Sequence, residues 1–177
     1  MNYGTLTFLP AAEHAELVAA PVWNMLGAID ASQVYVSGID ASLADTAAFC
    51  AHYQIGMEQG ANCVVVEAKR GERVWYAACM ILGSERIDVN SAVKKLLDAR
   101  RISFAPMDTA VALTGMEYGG ITPIGLPTDW EILVDEAVAA ADWVVIGSGV
   151  RASKLLVPGA FLASLPNARV LAIAKRG

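Results

Sequence analysis

The chain has 177 residues, of which 55% are hydrophobic and 18% charged, and its formal charge is −5 at pH 7. This length and composition fit one domain with an adequate core and exclude a disordered chain. The negative total excludes a uniformly basic nucleic-acid coat, since phosphate binding needs clustered positive charge.

In chain order, residues 13–18 lie between Pro10 and Pro21 and predict a short helix, with a further turn or two over 22–29. Residues 1–32 therefore read as a helical N-terminal extension within a single domain, 1–177. Residues 33–38 alternate apolar and polar and predict a strand ending at Gly38. Asp40 or Ser42 as N-cap, with Asp45 as capping-box acid, predicts a helix to about Tyr53. Residues 61–67 and 73–80 predict a β-hairpin around the turn residues Lys69, Arg70, Gly71 and Glu72. Residues 88–101 predict an amphipathic helix, with Val89, Val93, Leu96 and Leu97 inward and Lys94, Lys95, Arg100 and Arg101 outward. Pro106 opens another helix, to residue 113. Strands at 130–134, 143–146 and 170–174 and helices at 136–141 and 161–165 follow. Hairpin strands mixed with helices predict an α+β (mixed α/β) fold, not a regular βαβ series.

Charge is graded along this chain. Residues 1–68 carry seven acids and no Lys or Arg, whereas residues 143–177 carry Arg151, Lys154, Arg169, Lys175 and Arg176 and no acid. A local basic face is therefore compatible with the negative total. Mean hydropathy is +0.45, yet the longest apolar stretches are strand-length and too short for a bilayer. No basic residue stands near the N-terminus to serve an export signal, so a cytoplasmic protein is expected. Cys50, Cys63 and Cys79 are an odd number set in apolar runs and read as reduced core residues.

His14 and His52 are the only histidines and no Cys-x-x-Cys pair exists, so neither a metal nor another cofactor is expected. No Gly-x-Ser-x-Gly elbow is present, which sets serine-nucleophile chemistry aside. The run from Gly147 to Ala152 fits Gly-x-Gly-x-x-Gly/Ala after a strand. No helix follows it before Pro158, however, and no acid lies beyond Asp142 to hold a ribose hydroxyl, so it is not a dinucleotide site. Its glycines mark either a ligand loop or a tight turn.

The most informative stretch runs from Thr114 to Pro127. Gly119 and Gly120 remove side-chain bulk, so a ligand can reach the main chain, and Pro123 stiffens the far end. Such a loop can aim successive N–H groups at one point, as an oxyanion hole or carboxylate nest. The alternative is a glycine-rich crossover to the strand at 130–134. Tyr118 is placed to stack on a ligand. Thr114 and Ser148 are candidate pocket hydroxyls, although loop hydroxyls commonly bond nearby backbone. Asp135 reads as a helix cap ahead of a pocket residue. The cluster of Lys94, Lys95, Arg100 and Arg101 reads as a solvated helix face ahead of an RNA contact.

The strings Thr114-Gly115 and Gly119-Gly120-Ile121-Thr122-Pro123-Ile124-Gly125, with the 61–66 strand and the Ser148-Gly149 corner, resemble the YbaK/EbsC family. That family is related to the editing domain inserted in bacterial prolyl-tRNA synthetases. The likeness extends over about residues 33–174 and suggests a divergent bacterial subgroup. It implies a mixed β-sheet flanked by helices, and hydrolysis of the ester joining a wrong, small amino acid to tRNA. It further implies that Gly119, Gly120, Ile121, Thr122 and Pro123 bind the aminoacyl carbonyl region through backbone amides. The nucleophile is then a water or the substrate's own side chain, in keeping with a chain that offers no nucleophile of its own.

The family's characteristic lysine falls at Asn62, or at Cys63 if the register slips. Asn62 would then orient water or substrate, and Arg151 or Lys154 would restore the positive charge. Ser148, Gly149, Thr114 and Tyr118 complete the implied substrate-binding set. The implied partner is the acceptor end of an aminoacyl-tRNA, with neither DNA nor a membrane, and with an associated aminoacyl-tRNA synthetase. The rival readings are a non-catalytic module for a small ligand or tRNA end that has lost the lysine, and a hydrolase of another acyl or nucleotide ester.

Overall fold

A computed structural model describes residues 1–175. The N-terminal segment, expected to be helical, begins extended: β1 (Asn2–Tyr3) and β2 (Leu6–Thr7) pair with each other. β3 (Leu9–Pro10) then pairs with β4 (Tyr35–Gly38). Between them, two short 3-10 turns, Ala11–Glu13 and Ala15–Leu17, replace the helix expected over 13–18. His14 separates them with non-helical backbone. α1 (Ala20–Leu26) carries Pro21 in its first turn, where a missing N–H costs nothing. Asp40 caps a separate 3-10 turn, Ala41–Leu43, and Asp45 is the N-cap of α2 (Thr46–Tyr53). Its carboxylate accepts from Ala47 N at 3.1 Å, so it is not the capping-box acid of a longer helix.

β5 (Ala61–Arg70) and β6 (Arg73–Leu82) form the expected hairpin, with Gly71 at φ +60° in its turn. Residues 88–101 differ from the single helix expected there. A π-helical turn, Val89–Val93, runs into α3 (Lys94–Leu96), and Asp98 in the left-handed region turns the chain away. Arg101 thus begins β7 (Arg101–Phe104), an edge strand antiparallel to β5. Ile102 packs there against the smaller of the two main hydrophobic clusters. The rest of the chain is α4 (Met107–Thr114), β8 (Glu131–Asp135), α5 (Glu136–Ala139), β9 (Val144–Gly147), β10 (Ser153–Val157), α6 (Gly159–Ala163) and β11 (Ala168–Leu171).

The strands make a mixed five-stranded sheet ordered β11-β8-β6-β5-β7 and an antiparallel sheet ordered β3-β4-β10-β9. Among the described residues, a parallel bridge from Gly60 to Val145 joins the two. The larger core packs side chains of both sheets, among them Val36, Val65, Met80, Ile146 and Leu155, against Val22 of α1 and Ile124. A smaller core lies on the other face of the five-stranded sheet, around Val66, Cys79, Val93 and Leu133. Buried Asp135 caps α5 through Ala137 N at 3.0 Å. It also accepts from Ile173 N at 2.9 Å and Ala174 N at 3.0 Å, tying the C-terminal segment to the sheet. The fold is a mixed α/β one, and no helix among the described residues is long and apolar enough to cross a membrane.

Candidate functional site

β5 outruns its edge partner, and the gap this leaves is a cavity. β7 pairs with β5 only from Val66 onward, and one more bond joins Ala105 N to Val65 O, so residues 61–64 lie beyond the edge partner and border a cavity shared with Gly147 and Lys154. The cavity there has a volume of about 300 Å³. Its floor is this stretch of β5, and its walls are Asp45 and Thr46 at the start of α2, Gly147 and Lys154, and Tyr118, Gly119 and Ile121. Phe104 and Ala105 line it at the end of β7.

Backbone alternation sets what the floor offers. Val65 O accepts from Ala105 N and Lys69 O from Arg100 N, both at 2.9 Å, so odd residues of β5 turn their main-chain groups toward β7. By the same alternation, the N–H and C=O of Cys63, two residues earlier, lie on the cavity side of β5, with no ladder partner among the described residues. The Asn62 side-chain oxygen accepts from the Thr46 hydroxyl. That bond orients the amide and leaves its N–H donors without a partner among the described residues. The thiols are poor nucleophiles. Burial raises the pKa of Cys50 and Cys63 and pushes Cys79 up to about 12.

Lys154 reaches the same cavity from the other sheet. Its Nζ donates to Ala44 O at 2.9 Å and lies 5.4 Å from the centroid of the Phe49 ring. The residue is only 7% exposed, and this desolvation holds its pKa below the usual lysine value. The neighbouring Cys50 and Asp45 oppose that shift, whereas Arg151 adds to it. Lys154 and Asn62 thus line one cavity from two different sheets.

The glycine loop is held in place by its neighbour. Glu117 N donates to Gly149 O at 2.9 Å, Gly149 N to Gly120 O at 2.7 Å, and Gly120 N to Glu117 O at 2.9 Å. A Cβ on Gly120 would lie 2.6 Å from Val150 O, and one on Gly147 would lie 2.5 Å from Gly120 O. These glycines are needed because two stretches of backbone touch. Arg151 clamps the outside, its guanidinium donating to Tyr118 O at 3.1 Å and Ala41 O at 3.2 Å.

This packing divides the sequence-predicted residues. Asn62, Tyr118, Gly119, Ile121 and Lys154 line one cavity. The N–H groups of Gly119 and Ile121 have no partner among the described residues, while that of Gly120 is used within the loop. Thr122 is fully buried away from the cavity, its hydroxyl without a partner, and Pro123 lines an apolar depression with Leu126 and Trp130. Thr114 donates to Ala110 O at 2.7 Å, and Ser148 bonds Val150 O and Ser153 O, both at 3.1 Å. Gly149 packs on Ala19, and Arg151 buttresses the loop from outside. These residues hold the site together without lining it.

The sequence reading passes over Asp45, Thr46, Phe104 and Ala105. Only the cap signal at Asp45 hints at the first pair, and the second depends on a strand that the local pattern conceals. Among the described residues no three His, Cys, Asp or Glu side chains converge to hold a metal.

Residues 40–165 match the profile of the aminoacyl-tRNA editing domain, and the chain belongs to that family. No curated protein matches the sequence. Among solved structures, a candidate trans-editing enzyme for prolyl-tRNA synthetase superposes with a TM-score of 0.76 at 18% identity, covering 96% of this chain and 100% of that one. A computationally designed epitope scaffold gives 0.76 at 20% identity, covering 89% and 97%. The hypothetical protein APE2540 gives 0.67 at 23%, covering 75% and 85%. At such identities the likeness is one of fold.

Proposed function

We propose that this protein is a freestanding aminoacyl-tRNA deacylase that removes small, wrongly attached amino acids, and a divergent family member whose lysine position is Asn62. The observation that carries this reading is one cavity lined by Asn62, Lys154, Gly119 and Ile121, the last two with backbone N–H groups that have no partner among the described residues. Its volume of about 300 Å³ is ample for a small aminoacyl group. Gly119 N–H and Ile121 N–H receive the carbonyl oxygen of the ester, whose negative charge grows as water attacks the carbonyl carbon. Collapse of the tetrahedral intermediate breaks the bond to the ribose oxygen, which leaves with the proton lost by the water. The products are the free amino acid and intact tRNA. Asn62 donates to the attacking water or the substrate, and Lys154 supplies from β10 the cation that Asn62 does not.

The test is incubation with a panel of correctly and wrongly charged tRNAs, beside Lys154→Ala. Turnover of at least one mischarged tRNA, lost in the variant, is expected. Turnover no faster than spontaneous hydrolysis with every substrate refutes deacylation. In that case, retained tRNA binding identifies a binding module.

A further inference from the structure

A second, more open cavity of about 420 Å³ lies along edge strand β7. Its cations are Lys69, Lys94, Arg100 and Arg101, and its only acid is Glu67. Glu67 is occupied by Lys69 Nζ at 2.9 Å and the Tyr76 hydroxyl at 3.0 Å. Nearby Asp98 is paired with Arg70 at 2.6 Å. Among the described residues, Lys94, Arg100 and Arg101 have no carboxylate within ion-pair reach. Unbalanced positive charge is thus concentrated on one strand edge of a chain whose total is −5.

The groove and the first cavity share a strand. Arg101 and Ser103 line the groove, while Phe104 and Ala105 line the cavity. Three residues of β7 span about 10 Å, close to three stacked nucleotides at about 3.4 Å each. Two exposed rings, Phe104 (60% exposed) and Tyr118 (54%), line the first cavity, and rings so exposed can stack on an unpaired base.

We infer that the groove along β7 binds the phosphodiester backbone of a tRNA acceptor end, and that β7 leads the 3′ terminus past Phe104 and Tyr118 into the cavity. This rests on the deacylase reading for its choice of RNA. The recognition itself needs only phosphate charge, unpaired bases and a single-stranded end. It also accounts for an acidic protein approaching RNA, since attraction is confined to one edge and repulsion orients the rest.

The experiment measures binding of uncharged tRNA to the full chain between 50 and 300 mM salt, for the wild type, R100Q/R101Q, K94Q, and K95Q as the control that matches K94Q in charge. Lys95 lies outside the groove. The double variant is expected to bind about tenfold or more weakly near 0.1 M salt. Its slope of log affinity against log salt should shrink by about 2. K95Q should match the wild type. K94Q is expected to lower the slope by about 1, so the reading survives if the double variant misfolds. Wild-type affinity and slope in the groove variants, an equal effect in K95Q, or no binding by the wild type would each overturn the inference. Because the ligand is uncharged tRNA, an absence of hydrolysis refutes deacylation alone, and an inert groove refutes only this site.

Discussion

Gly120→Ala probes the contact on which the candidate site depends. Gly120 has no left-handed φ, so alanine brings no backbone strain and acts through bulk alone. Its Cβ would meet Val150 O, C and N at 2.6, 2.7 and 2.9 Å, all main-chain atoms that cannot swing aside as a side chain would. Relief requires the loops to part by about 0.8 Å before ordinary contact is approached. That separation stretches the 2.7 Å bond from Gly149 N to Gly120 O beyond useful length. Overpacking costs about 1–3 kcal/mol and the lost bond about 1 kcal/mol, together about 2–4 kcal/mol. The N–H groups of Gly119 and Ile121 move with the loop, and a misplacement near 1 Å lowers turnover about 100-fold. Urea denaturation and deacylation rates, measured on the same preparations, check both figures. Gly71→Ala is the control: nothing lies within 4 Å of its Cβ, so only its positive φ is penalised, by about 1–2 kcal/mol. A Gly120→Ala protein with wild-type stability and turnover would refute the close-packed loop.

Lys154→Met tests whether the buried amine serves function at the expense of the fold. Folded Lys154 holds its proton less tightly than the unfolded side chain, whose reference value is 10.5. Between its lowered value and 10.5 the unfolded chain binds more protons, so stability rises with pH across that window. Below the window the charged amine weakens the fold by a constant amount. The variant should therefore be more stable at neutral pH, lose the alkaline rise in urea titrations and lose turnover; lower stability at pH 7 would contradict this. Thr46→Val removes the hydroxyl that orients Asn62 and should lower kcat/KM about tenfold without changing the shape of the pH profile. Asp135→Ala deprives Ala137, Ile173 and Ala174 N–H groups of their shared acceptor and should cost about 3 kcal/mol or more in denaturant. Cys63→Ala should keep wild-type turnover, because its thiol is protonated; a large loss of rate would point to a cysteine nucleophile.

Short-range chemistry was legible in the sequence of this protein. The β5–β6 hairpin follows from two alternating runs around Gly71, and the Gly119–Gly120 corner from residues only close-packed backbone requires. The likeness carried by the 114–125 loop also placed Asn62 where the cavity now has its floor. Tertiary structure decided which of these residues meet. Lys154 lies 92 positions from Asn62 and on another sheet, and no local pattern could bring them to one cavity. Thr122 and Ser148, equally polar in sequence, turned inward because their loops pack on each other. Residues 101–104, of which only Arg101 fell within the helix expected over 88–101, became a strand that pairs with the edge β5 offers. Local preference selects the elements, whereas burial and backbone hydrogen bonding across distant segments select which side chains face the ligand.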